Sequence, residues 1–312
     1  MPRAVGKDLC EIFGYAPDDI SEPARKQWKS QSCPFIGGTC IKHTHPQRGG
    51  EVVVLGTCSI ANKTKSGVEE VIICAQRLYA NDYEALKLVV RDATKVELPI
   101  YMADRYSALK KSKELPENYV VLLGHNSGKE IQLSKRGVIQ LSLDWVMARV
   151  ERDELTAIIP CEVQSADITG NYQANWDAYR RELREIPDSE HGMNWANIWK
   201  RIIPQLILKG SIAATSRLCK YGHYFVVPDR VFVQFEKLLG QVNSVDAPGE
   251  KVLNVLTYGL GPEVPHGSIR SLQHHRTSRM LTTEFAKAFA SGKQLPLGSQ
   301  LDDKVVQLLN AL

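Results

Sequence analysis

Apolar and polar residues alternate along two neighbouring segments in the middle of the chain. The first segment is GVIQLSLDWVMA at 137–148, and the second is ELTAIIPCEVQSADIT at 154–169. A period of two indicates a β-strand with one apolar face, so the two segments predict two strands. The short polar stretch between them predicts a hairpin turn. Pro160 lacks an N–H for the sheet, and it predicts that the second strand is an edge strand or carries a bulge.

Two acidic residues lie on the polar face of this predicted hairpin. If the turn is centred on Asp153, Asp144 lies opposite Glu162, because both positions are equally far from the centre. Opposed side chains lie about 4.5–5.5 Å apart at Cβ. Gln164 follows on the same face, two residues after Glu162.

Two carboxylates this close repel each other, and they are tolerated when a divalent cation lies between them. Asp144 and Glu162 therefore predict a magnesium site, in which Gln164 holds a water molecule or a phosphate oxygen. This pattern is typical of metal-assisted phosphodiester hydrolysis. Glu130, fourteen residues before Asp144, is a candidate for a further ligand. The alternative is a solvent-exposed hairpin with ordinary surface acids.

Five of the seven cysteines lie in the first quarter of the chain, and the last four of these five form a candidate metal-binding set. Their spacing is Cys33-x6-Cys40-x17-Cys58-x15-Cys74. Four thiolates can close a tetrahedral site around zinc or iron, and Gly37 and Gly38 let the chain turn back so that the first two cysteines face one centre. His43 and His45 are alternative ligands or part of a polar loop. The other interpretation is four buried free cysteines that pack as small hydrophobic residues.

The pattern becomes helical after residue 190. Apolar residues recur at helical spacing over three turns, at Trp195, Ile198, Trp199, Ile202, Ile203, Leu206 and Ile207. This predicts a helix that kinks at Pro204 and ends near Gly210. The segment HYFVVP at 223–228 predicts a further strand.

One segment near the C-terminus is basic and has no acidic residue. It reads SIRSLQHHRTSR at 268–279 and includes Arg270, Arg276 and Arg279. We interpret it either as an exposed basic loop or as a contact to DNA phosphates and bases.

Composition and charge limit the classes of protein to which the chain can belong. The chain has 312 residues, of which 43% are hydrophobic and 24% charged, as in folded globular proteins of one or two domains. No run of 18 apolar residues predicts a transmembrane helix, and no signal peptide is evident, so we expect a cytoplasmic protein. A net charge of +4 is compatible with a nucleic-acid partner but does not require one. An odd number of cysteines argues against a disulfide framework.

Five motifs stand out along the chain: CPFIGGTCIK (33–42), GTCSI (56–60), LDWVMARV (143–150), EVQSADITGNY (162–172) and NWANIWKRIIPQLILKG (194–210). Together they resemble the NotI-like type II restriction endonucleases. The resemblance runs from about Glu11 to about Phe235 and preserves the order of the motifs, whereas the last seventy or so residues resemble the family less.

The resemblance implies an α/β protein with the PD-(D/E)xK nuclease core, a mixed central sheet flanked by helices. It implies a four-cysteine iron region at 1–80, held by Cys33, Cys40, Cys58 and Cys74, and a nuclease and DNA-recognition domain at 81–312. Asp144 and Glu162 would be magnesium ligands and Glu130 the upstream acid. Gln164 would stand where most nucleases of the superfamily have lysine.

The implied activity is magnesium-dependent cleavage of double-stranded DNA at a palindromic, GC-rich site. A homodimer, a cognate DNA methyltransferase and a bacterial cytoplasm follow from the same resemblance. The residues alone allow two other functions. One is a metal-stapled DNA-binding regulator without catalysis, and the other is a thiol enzyme that uses Cys161 with His223.

Overall fold

Seven strands form one mixed sheet at the centre of the protein. The computed structural model describes residues 8–44, 51–65, 67–124, 131–135, 139–240, 242–291 and 298–310. The strands of this sheet, in chain order, are β4 (Ile100–Met102), β5 (Asn118–Gly124), β8 (Trp145–Glu151), β9 (Glu154–Val163), β12 (His223–Pro228), β13 (Val252–Leu260) and β14 (Leu272–Leu281). Their order across the sheet is β14-β13-β12-β9-β8-β5-β4. β9 runs antiparallel to β8 and parallel to β12.

Smaller sheets and helices surround this sheet. The remaining strands are β1 (Asp8–Ile12), β2 (Thr57–Thr64), β3 (Gly67–Ile72), β6 (Ile131–Lys135), β7 (Ile139–Leu143), β10 (Ile168–Thr169) and β11 (Gly192–Met193). They pair as β1-β2-β3, β6-β7 and β10-β11. The helices are α1 (Glu22–Ser30), α2 (Ala80–Thr94), α3 (Ala103–Ser112), α4 (Gln173–Arg180), α5 (Ile203–Ala213), α6 (Asp229–Leu239), α7 (Thr282–Ala290) and α8 (Gly298–Asn310).

The two faces of the central sheet are covered by different elements. One face packs against α2, whose buried residues include Leu86, Val89 and Val90. The other face packs against α5, α6, α7 and the β1-β2-β3 sheet, and Phe225 of β12 lies in this second core. The predicted arrangement, a mixed central sheet flanked by helices, is confirmed. Within the described residues, no helix combines the length and the apolar character that a membrane crossing needs.

The predicted hairpin is confirmed together with its register. Trp145 pairs with Cys161 and Met147 with Ile159, as a turn centred on Asp153 requires. One detail of the prediction is wrong, because residues 137–148 do not form a single strand. The chain bends at Asp144, so that β7 pairs with β6 in a separate sheet and β8 enters the central one. Alternation alone cannot show this break, since the period of two continues across it.

Pro160 lies in the interior of the sheet and not at an edge. Alternate residues of a strand direct their N–H groups to the same side. The N–H of Ile158 donates to the carbonyl of Leu218, and that of Gln164 donates to the carbonyl of Val226. Pro160 therefore faces the β12 side, where pairing begins only at the next residue, Cys161. The missing N–H costs no ladder bond there. The second strand does carry an irregularity, as the alternative prediction required, but not at the proline. Arg149 pairs with Ala157 and Val150 with Leu155, so that Thr156 is the extra residue.

The predicted long helix is divided into two parts. A π-helical turn at Ile198–Ile202 leads into α5, and Pro204 lies in the first turn of α5, where its missing N–H is harmless. Gly210 does not end this helix. It lies inside α5, where a Cβ would be 2.8 Å from Cγ2 of Thr282. The glycine therefore permits close packing of α5 against the start of α7.

A fully buried ion pair connects the small sheet to the rest of the protein. Arg77 and Glu11 are 0% and 1% exposed, and Nη2 of Arg77 lies 2.9 Å from Oε1 of Glu11. Ser59 donates to the same carboxylate, and Arg77 also donates to the carbonyl of Arg270. The guanidinium lies over the ring of Phe35, in the loop between the first two clustered cysteines.

We predict that Arg77→Met lowers the free energy of unfolding by about 3–5 kcal/mol, because it leaves Glu11 buried without its partner. Arg25→Met is the matched control, since the ion pair of Arg25 with Glu182 is more than half exposed. The control should cost no more than about 1 kcal/mol. Urea unfolding curves measure both, and equal losses in the two variants would contradict the prediction.

Candidate active site

The structure brings Asp144 and Glu162 together on one face of the central sheet. Asp144 lies at the bend between β7 and β8, and Glu162 is the last but one residue of β9. Each carboxylate accepts from the other strand. Oδ2 of Asp144 accepts the N–H of Val163 at 3.0 Å, and Oε1 of Glu162 accepts the N–H of Asp144 at 3.4 Å. The two acids are therefore held by reciprocal bonds and are not independent surface side chains.

Neighbouring residues fix the position of Asp144. Trp145 is 1% exposed, and its indole N–H donates to the hydroxyl of Tyr79 at 2.9 Å. Its ring also packs edge-on against Tyr79 and Tyr83. On the adjacent strand, a Cβ at Gly124 would lie 2.4 Å from the carbonyl oxygen of Asp144. A larger residue at position 124 would displace the bend that presents the aspartate.

Glu162 is a buried acid, with an exposed fraction of 2%. Burial raises the pKa of its carboxyl group to about 8, and the negative charge of Asp144 adds to this rise. Lys209 acts in the opposite direction. A carboxyl group in such surroundings takes up a positive charge, either as a proton or as a cation. This is the electrostatic condition under which two acids can share a divalent ion.

Lys209 extends from α5 and forms an ion pair with the Glu162 carboxylate. It is 7% exposed. Sequence reasoning missed this residue, although a signal was present. Lys209 follows Leu206 by three positions, on the buried stripe of the helix. A lysine on an apolar helix face requires a buried acid as its partner.

His223, the first residue of β12, lies within electrostatic reach of Lys209. It is 1% exposed, and neither ring nitrogen has a hydrogen-bond partner within the described residues. Burial lowers its pKa to about 3, and the charge of Lys209 contributes. The imidazole is therefore neutral at physiological pH. Of these two basic residues, His223 adds no positive charge beside Asp144 and Glu162, and Lys209 is the one cation there among the described residues.

Gln164 lies one residue beyond β9, and its side chain is half-buried. Its N–H donates to Val226, so the extended conformation continues and the side chain shares the face of Glu162. Glu130, the third predicted acid, lies outside the described residues.

Cys161 is a poor nucleophile in this structure. It is 0% exposed and lies on the opposite face of β9 from Glu162. Burial raises the pKa of the thiol well above its usual range, and the charges of Glu162 and Asp144 raise it further. The thiol is therefore protonated, and in the part of the chain that the structure describes no hydrogen bond links it to His223. These surroundings oppose the thiol-enzyme interpretation.

The four N-terminal cysteines are all buried, as free thiols. The turn predicted at Gly37 and Gly38 is confirmed, since both residues have left-handed φ angles, of 71° and 69°. Cys33 closes this turn by donating its N–H to the carbonyl of Gly38 and accepting from Gly37.

The four thiols lie within electrostatic reach of one another. Burial raises the pKa of Cys74 to about 11, and the charges of Cys40 and Cys33 contribute. Burial and then the charge of Cys74 raise the pKa of Cys58 well above its usual range. The N–H of Lys42 donates to Sγ of Cys40 at 3.5 Å, as amides do around metal-bound sulfur.

Sulfur donors of this kind match zinc or iron in chemical type. Across the described residues, however, no three or more histidine, cysteine, aspartate or glutamate side chains are arranged so that they could hold a metal ion. Of the two alternative ligands, His43 has its Nδ1 within 2.9 Å of the carbonyl of Thr44, and His45 lies outside the described residues.

The basic segment 268–279 is largely the edge strand β14, and its arginines are engaged inside the protein. Arg270 is 9% exposed and forms two bonds to Glu70, at 2.7 and 2.8 Å. Arg276 binds Glu236 in the same bidentate way. Arg279 pairs with a carboxylate as well, that of Asp92 on α2. The interpretation as a loop is wrong, and these charges are already balanced by acids.

Comparison with known proteins does not assign the chain to a family. No model of a known protein family matches the chain, and no curated protein matches it. The resemblance to the NotI-like endonucleases therefore stays a prediction.

The raised pKa of Glu162 predicts how stability depends on pH without metal. A folded-state pKa of about 8, against an ordinary value of 4.5, makes this contribution to stability largest below pH 4.5. It is lost as the pH rises through 8. We therefore expect Glu162→Gln, which cannot ionise, to gain stability relative to the wild type between these values, by at most about 1.4 kcal/mol per pH unit.

Urea unfolding in EDTA at several pH values measures this difference. His223 has the opposite linkage, because its lowered pKa costs stability as the pH falls below its usual value near 6.5. Comparison of the two proteins at each pH cancels that contribution. A constant difference between wild type and variant would contradict the assignment.

Proposed function

We propose that the protein is a magnesium-dependent, site-specific endonuclease of the restriction type that hydrolyses phosphodiester bonds in double-stranded DNA. The observation that carries this proposal is the pair Asp144 and Glu162, held on one sheet face by reciprocal hydrogen bonds. Surface acids are not held in this way. Glu162 is 2% exposed and Lys209 offsets only one of the two negative charges, so a further cation at this pair is electrostatically favoured.

The donor set fits magnesium, which prefers carboxylate oxygens and keeps several water ligands. Asp144 and Glu162 would hold the ion, and the ion would lower the pKa of a water molecule and offset charge on the phosphate. Glu130 is proposed as a further ligand by its place in the sequence. Glu162 must release its proton or its lysine partner to bind the ion, which couples metal binding to pH.

Gln164 supports the same centre without adding charge. Its amide can donate to a phosphate oxygen and accept from a water molecule at once. In the hydrolysis, the oxygen of water bonds to phosphorus while the bond from phosphorus to the leaving oxygen breaks. One proton of the water ends on the leaving oxygen, and the other ends on the new phosphomonoester or in solvent.

The cysteine cluster is proposed as a structural metal site. Cys33, Cys40, Cys58 and Cys74 would hold iron, with zinc as the alternative. The ion pair of Arg77 and Glu11 lies beside this cluster, since both charges act on the thiol of Cys58. A metal there would stiffen the small sheet that shares a core with the nuclease sheet. A homodimer on a palindromic, GC-rich target and a protecting methyltransferase belong to the same proposal.

Metal analysis of the purified protein tests the cluster. We expect iron, or else zinc, in an amount equimolar with the chain, and we expect Cys58→Ser to lose it. Cys219→Ser is the control, because Cys219 is also fully buried but lies outside the cluster. Equal metal content in both variants, or none in the wild type, would rule out this site.

Cleavage of a long DNA of known sequence tests the nuclease. We expect discrete fragments with magnesium and none with EDTA. Asp144→Asn/Glu162→Gln should reduce the cleavage rate more than about 100-fold, as loss of groups that stabilise transition-state charge does. Asp153→Asn/Glu154→Gln is the matched control, since it removes two acids from the exposed turn of the same hairpin.

Other outcomes of this assay would contradict the proposal in different ways. Salt-sensitive DNA binding without cleavage would favour the non-catalytic regulator. Cleavage by the Asp144→Asn/Glu162→Gln variant would place the active site elsewhere in the chain.

A further inference from the structure

The proposed active site needs a positive charge that position 164 does not supply. Asp144 and Glu162 carry two negative charges when both are ionised, and the phosphodiester that approaches them is also an anion. Gln164 is neutral. Transition-state charge on phosphate is stabilised by preorganised cations as well as by a metal.

Lys209 is the side chain in the right place for this role. It is the only cation that forms an ion pair with either acid among the residues that the structure describes. It comes from α5, a helix that lies across the sheet face of Glu162, so its position is set by helix packing and not by a flexible loop.

Within the described residues, the ammonium group of Lys209 has a polar contact with Glu162 alone. An ammonium group has three N–H bonds, and Glu162 is the only acceptor for them in the described part of the chain. His223 is neutral and, among the described residues, unpartnered beside it. Two N–H bonds of Lys209 thus have no acceptor among the described residues.

We infer that Lys209 supplies the positive charge for phosphodiester hydrolysis at the Asp144–Glu162 centre, in place of a cation at position 164. The inference rests on the proposed nuclease function. Lys209 acts here by its position and transfers no proton. Its ammonium offsets the charge that develops on the phosphate oxygens as the water oxygen attacks.

Lys209→Met tests the inference, because it keeps the length of the side chain and removes the charge. We expect its single-turnover cleavage rate with magnesium to fall more than about 100-fold. DNA binding in EDTA should remain close to that of Lys200→Met, whereas the melting temperature falls, because Glu162 loses its buried partner. Lys200 is the matched control, since it is an exposed lysine in the turn that precedes α5. Lys209→Gln is a second neutral variant that still donates to Glu162.

A variant that moves the positive charge from position 209 to position 164 distinguishes a catalytic role of Lys209 from a structural one. Gln164→Lys in the Lys209→Met background should recover at least about 10-fold of the lost rate, if a cation at either position serves the same phosphate. A structural counter-ion predicts no such recovery, and it predicts that DNA binding falls together with the rate.

Three different results would overturn either the role of Lys209 or the proposed nuclease function. The measurements above tell these results apart. Cleavage by Lys209→Met and Lys209→Gln at the rate of Lys200→Met would overturn the role of Lys209 alone. Joint loss of rate and DNA binding without recovery by Gln164→Lys would assign Lys209 a structural role. Absence of cleavage by the wild-type protein would overturn the proposed function itself, together with this inference.

Discussion

The repulsion between two carboxylates on a buried sheet face is the constraint on which the candidate site depends. The register of β8 and β9 places Asp144 beside Glu162, and the bond from Val163 to Asp144 locks them there. Burial raises the pKa of Glu162 to about 8, so without metal this carboxyl group tends to hold a proton near neutral pH. The ammonium of Lys209 offsets part of the negative charge of the two carboxylates. A divalent ion would offset the remainder, at a position that a phosphate can reach.

A second buried charge pair joins the cysteine region to the same architecture. Glu11 and Arg77 are removed from water together, and the bond from Arg77 to the carbonyl of Arg270 extends the connection to the segment before β14. The residues before position 80 and those after it contribute to one hydrophobic core, which includes Ile60 of β2 and Phe225 of β12. The small sheet next to the four cysteines therefore shares its hydrophobic core with the central sheet.

Local patterns were sufficient to predict the hairpin and its two acids. Alternation identified both strands, and the symmetry of the turn about Asp153 fixed which residues face each other. The break at Asp144 could not be predicted, because a bend between two strands preserves the period of two. Lys209 could not be assigned to the site, because its contact with Glu162 joins residues 47 positions apart through helix packing. Sequence spacing carries no information on such contacts, although a lysine among apolar residues was a usable signal.

The most direct test of the account is to locate a divalent ion in crystals of the protein grown with manganese, by its anomalous scattering. We expect a peak between the two carboxylates, about 2.0–2.2 Å from an oxygen of Asp144 and an oxygen of Glu162. We also expect the ammonium of Lys209 to remain near the ion without binding it. A fully occupied ion elsewhere, with Lys209 still paired to Glu162 and no density between the acids, would contradict the account.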